Sequence, residues 1–169
     1  MPNRFEPIIA EVIRREAGDD PNGGYTNDPT DTGGRTQFGI AEKSNPAAWA
    51  DNKVTLEEAK EIYFNKYVKG PGYDKIPESH SFVASQLVDF GVNSGPYIAT
   101  QKLQVVLGQE VDGVFGPATR QALIAAEPRT VGNKLAVERL KMLGRIVAKN
   151  PSQAKFISGW INRAVEFIS

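Results

Sequence analysis

The first helix is predicted from apolar residues that recur three and four positions apart, with charged residues between them. The apolar set is Phe5, Ile8, Ile9, Val12 and Ile13. This spacing is typical of an amphipathic helix, which we expect to end near Gly18. Glu16 continues the same series. The pattern therefore predicts that the Glu16 carboxylate lies on the side of the helix that faces the core.

A glycine-rich segment follows the first helix. Between residues 18 and 39 the glycines are Gly18, Gly23, Gly24, Gly33, Gly34 and Gly39. Prolines, asparagines and aspartates accompany them. Such a composition predicts turns and short strands, and we expect a small hairpin sheet next to the first helix.

The remainder of the chain has mainly helical patterns. Thr55 and Glu58 form a capping box in front of a helix that we expect to run to about Tyr67. Apolar periodicity, together with glycines and prolines that end helices, predicts five more helices. They are expected at about 81–93, at about 97–108, in a short segment that ends near 123, at about 136–147 and at about 157–168. The predicted fold class is mainly α, with a helical body and a small β-hairpin.

Charge and composition narrow the classes of partner. The chain has 20 basic and 20 acidic residues. It has no run of basic residues interleaved with aromatics, so we expect no nucleic-acid partner. Residues 129–169 are locally basic, which is typical of a solvated helix face and also of a surface attracted to an anionic polymer such as a cell wall.

The chain has no cysteine, which excludes disulfides, a thiolate nucleophile and a cysteine-bound zinc. Charges interrupt the apolar positions of the first 16 residues, so this segment is neither a secretory signal nor a membrane span. We expect synthesis in a bacterial cytoplasm without a signal peptide and no stable membrane insertion. If the target lies outside the membrane, another component must release the protein.

Glu16 is the leading candidate for chemistry. Burial against apolar neighbours raises the pKa of a carboxyl group, which makes it a competent general acid near neutral pH. The alternative is a structural glutamate at a helix end, paired with Arg14 or Arg15. The glycine-rich segment also carries Asp28 and Asp31, and glycoside hydrolysis commonly uses a second carboxylate besides the acid.

Several motifs occur in an ordered series that resembles glycoside hydrolase family 108. They are Glu16, Gly23-Gly24-Tyr25, Asn27-Asp28-Pro29, Asp31-Thr32-Gly33-Gly34, Thr36-Gln37-Phe38-Gly39-Ile40 and Asp89-Phe90-Gly91-Val92-Asn93-Ser94-Gly95. A later stretch resembles the predicted peptidoglycan domain that usually follows in those proteins. Its residues are Leu103-Gln104, Leu107-Gly108, Asp112-Gly113, Gly116-Pro117 and Thr119.

The resemblance implies a lysozyme-like α+β fold and an endolysin-like N-acetylmuramidase that acts on the glycan strands of bacterial peptidoglycan. It implies a muramidase region over 1–96 and a peptidoglycan-domain-like helical region over 97–169, which we expect to pack into one globular body. Residues 97–126 either bind glycan or complete the helical lobe. The sequence departs from the family in one place, because Ala17 to Asn22 intervene between Glu16 and the Gly-Gly-aromatic step. Asp19 and Asp20 lie within this insertion and are remote alternatives to Glu16 as the catalytic acid.

By resemblance to family 108 and to phage-type lysozymes, Glu16 protonates the glycosidic oxygen, while Asp31 and Thr36 orient water or stabilise the positively charged sugar. The resemblance also implies substrate binding by Tyr25, Gln37 and Asn93. We expect no cofactor, no metal, a monomer, and release to the cell wall through a holin.

Two other functions remain open from the sequence. A lytic transglycosylase would use Glu16 alone, and a non-catalytic wall-binding protein would need no acid. His80 is the only histidine, so we interpret it as a loop or helix-cap residue rather than a member of a catalytic triad or a zinc site. Trp49 and Trp160 either belong to the core or stack on sugar rings.

Overall fold

The structure is a computed structural model that describes residues 4–28 and 33–168. In these residues the chain forms seven α-helices and one two-stranded antiparallel sheet. The predicted fold class, mainly α with a small β-hairpin, is confirmed. Contacts divide the chain into two compact units, Met1–Val68 and Lys69–Ser169.

The first unit is built on two helices and a hairpin. Its elements are α1 (Glu6–Ala17), β1 (Thr36–Gln37), β2 (Ile40–Ala41) and α2 (Leu56–Phe64). Helices α1 and α2 pack against each other, and the apolar stripe of α1 is buried at Ile9, Val12 and Ile13. Gly18 caps α1 with φ +71°, a backbone conformation that favours glycine. The predicted first helix is confirmed.

Helix α2 begins at the predicted capping box. The Thr55 hydroxyl accepts a hydrogen bond from the Glu58 N–H, and the Glu58 carboxylate accepts one from the Thr55 N–H at 2.8 Å. These bonds satisfy backbone donors that lack partners in the first turn of a helix. The regular helix ends at Phe64, and a π-helical turn continues the winding over Asn65–Lys69.

The regular secondary structure in the described residues of the second unit is helical. Its helices are α3 (Ser81–Ser94), α4 (Pro96–Leu107), α5 (Pro117–Ala125), α6 (Pro128–Lys149) and α7 (Ile157–Val165). Helix α3 packs against α4 and α6, and α7 packs against α6. The five predicted helices of this region are confirmed. In the described ranges, no helix is both long and apolar enough to cross a membrane.

A buried glutamine holds the turn between α4 and α5. Gln104 Nε2 donates to Asp112 Oδ1 at 2.6 Å and to Thr119 Oγ1 at 3.1 Å. Gln104 Oε1 accepts from the Gly113 N–H at 2.8 Å. These residues carry the resemblance to the peptidoglycan domain, and their polar groups bond to one another. This part of the motif therefore stabilises the helical lobe.

Two glycines of α6 provide a test of this packing. A methyl group on buried Gly132 would collide with the Phe82 ring, whereas one on Gly144 would meet nothing within 4 Å. We expect Gly132→Ala to lower the free energy of unfolding by about 1–3 kcal/mol through overpacking. Gly144→Ala should raise it by about 0.5–1 kcal/mol, because alanine restricts the unfolded chain. Denaturant titration measures both changes, and equal effects would contradict the described packing of α6.

Candidate active site

Glu16 lies in the last turn of α1 and is exposed. The predicted burial of this residue is therefore wrong. Helical periodicity correctly indicates the face of α1 on which Glu16 lies. The buried part of that face ends at Ile13, so Glu16, one turn further on, is not covered by the core. The neighbouring Arg14 and Arg15 both pair with Glu11, at 2.8 and 2.9 Å, and the hydrogen bond from Arg14 is the main cause that lowers the pKa of Glu11 to about 2.

The hairpin turn approaches the base of Glu16. A Cβ placed on Gly39 would lie 3.2 Å from the Glu16 Cβ and would collide with the Tyr63 hydroxyl of α2. Gly39 also has φ +74°. Only glycine meets both requirements without strain. The Glu16 Cβ, the hairpin turn and the Tyr63 hydroxyl therefore meet at one point.

The segment between Glu16 and the Gly-Gly-aromatic step forms a closed loop. The Gly23 N–H donates to the Asp20 carbonyl at 2.8 Å, and the Asn22 N–H donates to Asp20 Oδ1 at 2.9 Å. The chain then returns to the helix, because a Cβ on Gly24 would lie 2.8 Å from the Ala17 carbonyl oxygen. The extra residues therefore leave Gly24 in direct contact with the end of α1, and Asp20 has a structural role in the turn.

The hairpin is short and tightly turned. Thr36 pairs with Ala41 and Gln37 with Ile40, and Thr36 also forms an antiparallel bridge with Thr26. The two turn residues, Phe38 and Gly39, have φ values of +50° and +74°, which suits a type I′ turn. Thr36 is thus held on both sides of β1 and is half-buried.

Gln37 fixes the hairpin to its surroundings. Its Nε2 donates to the Asn22 carbonyl at 3.0 Å, and its Oε1 accepts from the Val54 N–H at 2.9 Å. Both ends of the amide are thus bonded to the main chain. The structure gives Gln37 a positioning role, and substrate binding by this residue stays a prediction.

Tyr25 belongs to an aromatic surface on the same unit. Its side chain is 45% exposed, and its ring lies 6.4 Å from the ring of buried Trp49. The Arg35 guanidinium lies 4.9 Å from the Trp49 ring and forms an ion pair with Glu42 at 2.6 Å. This hydrogen bond from Arg35 holds the pKa of the Glu42 carboxyl below its usual value. Trp49 Nε1 donates to the Ile40 carbonyl. This bond fixes the buried Trp49 ring against which the Tyr25 ring packs.

The second predicted carboxylate, Asp31, lies outside the described residues. Asp28 is described and is exposed. The structure therefore brings Glu16, Tyr25, Thr36 and Gln37 into one compact unit, and the role of Asp31 stays a prediction.

Asn93 belongs to the second unit, at the end of α3. Its Oδ1 accepts a hydrogen bond from Arg139 at 2.7 Å. Arg139 is 2% exposed and also donates to Asp89, which accepts a further bond from Arg163 at 2.9 Å. Asn93 is thus an exposed side chain that a buried ion-pair network holds in place. Its predicted contact with substrate stays a prediction.

His80, the only histidine of the chain, lies at the start of α3 and is buried. His80 is the N-cap residue of α3, as predicted, and its Nε2 lies 3.1 Å from the Ala126 carbonyl oxygen. Within the described residues, no group of three or more His, Asp or Glu side chains could hold a metal ion.

The candidate site thus consists of a carboxylate at a helix end beside a tightly turned hairpin, in a mainly helical chain. Residues 10–95 match the family described as Glycosyl hydrolase 108, and residues 98–165 match the Predicted Peptidoglycan domain. The chain belongs to the glycosyl hydrolase 108 family. It is a glycoside hydrolase that acts on peptidoglycan.

A solved structure supports this assignment. The structure of Brucella abortus SagA is 29% identical in sequence, with a TM-score of 0.66, and the match covers 96% of this chain and 94% of that chain. No curated protein matches this chain significantly.

Two residues of the candidate site region, Tyr63 and Arg35, are not indicated by any pattern in the sequence. Tyr63 occupies an apolar position of α2, and nothing in the local sequence indicates that its hydroxyl approaches Gly39. Arg35 follows the two glycines Gly33 and Gly34 and has no motif of its own. Both residues contact residues that are not their neighbours in the sequence. Helical or strand periodicity gives no information about such contacts.

The Gly39 contact is testable with a matched variant. Gly39→Ala and Gly108→Ala both place alanine at positive φ, but a Cβ on Gly108, the left-handed residue after α4, meets nothing within 4 Å. We expect each to cost about 1–2 kcal/mol for the backbone, and Gly39→Ala to cost about 1–3 kcal/mol more for overpacking. Tyr63→Phe in the Gly39→Ala background should recover part of the additional loss. Equal unfolding free energies for the two single variants would contradict the close approach.

Proposed function

We propose that this protein is an N-acetylmuramidase that hydrolyses the β-1,4 bond between N-acetylmuramic acid and N-acetylglucosamine in bacterial peptidoglycan. The observation that carries the proposal is the position of Glu16 at the end of α1, against a hairpin turn that only glycine permits. Glu16 lies within the segment that matches the glycosyl hydrolase family.

Glu16 acts as the general acid in this proposal. Its carboxylic acid gives a proton to the glycosidic oxygen as the bond from that oxygen to C1 of N-acetylmuramic acid breaks. The leaving sugar departs with a hydroxyl group, and positive charge develops on the remaining ring. Water then adds at C1 and loses its proton to a carboxylate. The products are a free hydroxyl and a reducing N-acetylmuramic acid end.

Asp31 and Thr36 are proposed to support this chemistry. A carboxylate stabilises the positive sugar or accepts the proton from water, and a hydroxyl orients that water. Thr36 is suited to such a role, because its backbone is fixed to Thr26 and Ala41. A side chain on a fixed backbone loses less entropy when it orients a reactant.

Tyr25 is proposed to bind the glycan through its exposed ring. Its support by Trp49 gives a rigid apolar face that suits the C–H side of a pyranose. Gln37 contributes by positioning the hairpin, and Asn93 contributes a polar contact.

We further propose that the protein works as a monomeric endolysin. In this account it is made in a host bacterial cytoplasm, reaches the cell wall through a holin and causes lysis. The locally basic segment 129–169 would favour approach to an anionic wall.

The general acid is tested by Glu16→Gln. The amide cannot donate an acid proton, so we expect lytic activity on purified peptidoglycan to fall by about 10²–10⁴-fold. Because Glu16 is exposed, the free energy of unfolding should change by less than about 0.5 kcal/mol. Asp19→Asn, on the neighbouring loop, is the matched control and should keep parental activity. A Glu16→Gln variant with more than about a tenth of the activity would refute the assignment.

The hairpin roles are tested by a second series. Asp31→Asn should lower turnover by about tenfold or more with little change in KM, which marks an interaction made in the transition state. Thr36→Val should act in the same direction but more weakly. Asp28→Asn is the control, because an aspartate before a proline is, by its sequence alone, expected to set a turn. If only Asp28→Asn abolished activity in a folded protein, Asp28 would be the second carboxylate.

A further inference from the structure

A small pocket lies in the second unit, apart from the residues to which catalysis has been assigned. It has a volume of about 150 Å³ and is lined by Asn93, Ser94, Arg139, Leu143, Ile146 and Trp160. Pockets for whole drug-sized ligands have volumes of about 300–1,000 Å³. The size of this pocket therefore suits one substituent of a sugar in a longer polymer rather than a whole disaccharide.

The ion-pair network fixes the chemistry of one wall. Arg139 can only donate hydrogen bonds, so the Asn93 group that faces it at 2.7 Å must be the amide oxygen. The Asn93 Nδ2 then remains as a donor for a ligand, beside Ser94, which also lines the pocket. In the described parts of the chain, Nδ2 donates no hydrogen bond to the protein. The natural partner of such an oriented amide donor is a carbonyl oxygen.

The other walls of the pocket are mainly apolar. Leu143 and Ile146 offer aliphatic surface, which suits a methyl group. Trp160 is half-buried, and its ring packs against the Phe156 ring at 5.8 Å with 30° between the planes. A tryptophan face held in this way suits the C–H side of a pyranose ring.

We propose that this pocket, the Asn93–Trp160 pocket, binds the acetamido group of an N-acetylated sugar in the glycan strand. Asn93 Nδ2 donates to the acetamido carbonyl, Leu143 and Ile146 contact its methyl group, and Trp160 packs on the sugar ring. Arg139 is a positioning residue, because it acts on the ligand by orienting the Asn93 amide. The choice of glycan as ligand rests on the proposed function.

The two tryptophans allow a direct test, because Trp49 belongs to the first unit and Trp160 to the second. Their indole N–H resonances are followed by NMR in the full chain carrying Glu16→Gln, which blocks turnover. The probes are chitotetraose and cellotetraose, both neutral β-1,4 glycans, of which only the first carries acetamido groups. We expect chitotetraose to shift the Trp160 resonance saturably, and cellotetraose to bind there at least about tenfold more weakly.

Asn93→Asp tests the donor itself. Aspartate keeps an oxygen for Arg139 but replaces the Nδ2 donor with an acceptor, so chitotetraose should bind about tenfold more weakly at Trp160. Asn162→Asp makes the same change at an exposed position of α7 outside the pocket and should leave the affinity within about twofold. The comparison of the two glycans uses the protein in which Asn93 is unchanged. It therefore does not depend on how any pocket variant folds.

Three results would overturn the proposal: no shift of Trp160, equal binding of both glycans at Trp160, or parental affinity in a folded Asn93→Asp variant. The activity of the parent protein on peptidoglycan is measured in parallel. If the parent protein cleaves peptidoglycan but the Trp160 resonance does not shift, the Asn93–Trp160 pocket is refuted and the proposed function is unaffected. An inactive, folded parent refutes the proposed function.

Discussion

The first unit depends on the close approach of two glycines to the last turn of α1. Gly24 lies against the Ala17 carbonyl, and Gly39 lies against the Glu16 Cβ and the Tyr63 hydroxyl. Both glycines have positive φ, so a side chain at either position would meet both backbone strain and a neighbouring atom. These contacts let the glycine-rich segment fold back onto the helix end.

That constraint accounts for the arrangement of the candidate site. Once Gly24 is on the helix end, Tyr25 follows directly and packs on Trp49. Once the Phe38-Gly39 turn is in place, Thr36 and Gln37 precede it on β1, and Gln37 bonds to Asn22 and Val54. Local turn geometry thus brings Gly24 and the Phe38-Gly39 turn to the end of α1, beside Ala17 and Glu16. The intervening loop closes on itself through the bonds to Asp20.

The sequence was sufficient to predict the helices, because their signals are local: the apolar stripe of α1, the Thr55–Glu58 capping box and the glycine after α4. It was insufficient for the environment of Glu16. Helical spacing indicates which side of α1 this residue occupies, but the depth of burial depends on what the rest of the chain places opposite. The contact with Tyr63 and the bonds of Gln37 join residues far apart in sequence, so no local pattern reveals them.

We propose that Glu16 and water together hydrolyse the glycan, and the end group of the product distinguishes this reaction from that of a lytic transglycosylase. Mass spectrometry of purified peptidoglycan digested by the parent protein distinguishes the two possible outcomes at C1. We expect soluble muropeptides that end in reducing N-acetylmuramic acid. Muropeptides with 1,6-anhydro ends would show that the sugar's own hydroxyl attacks C1, which would contradict hydrolysis and identify a lytic transglycosylase.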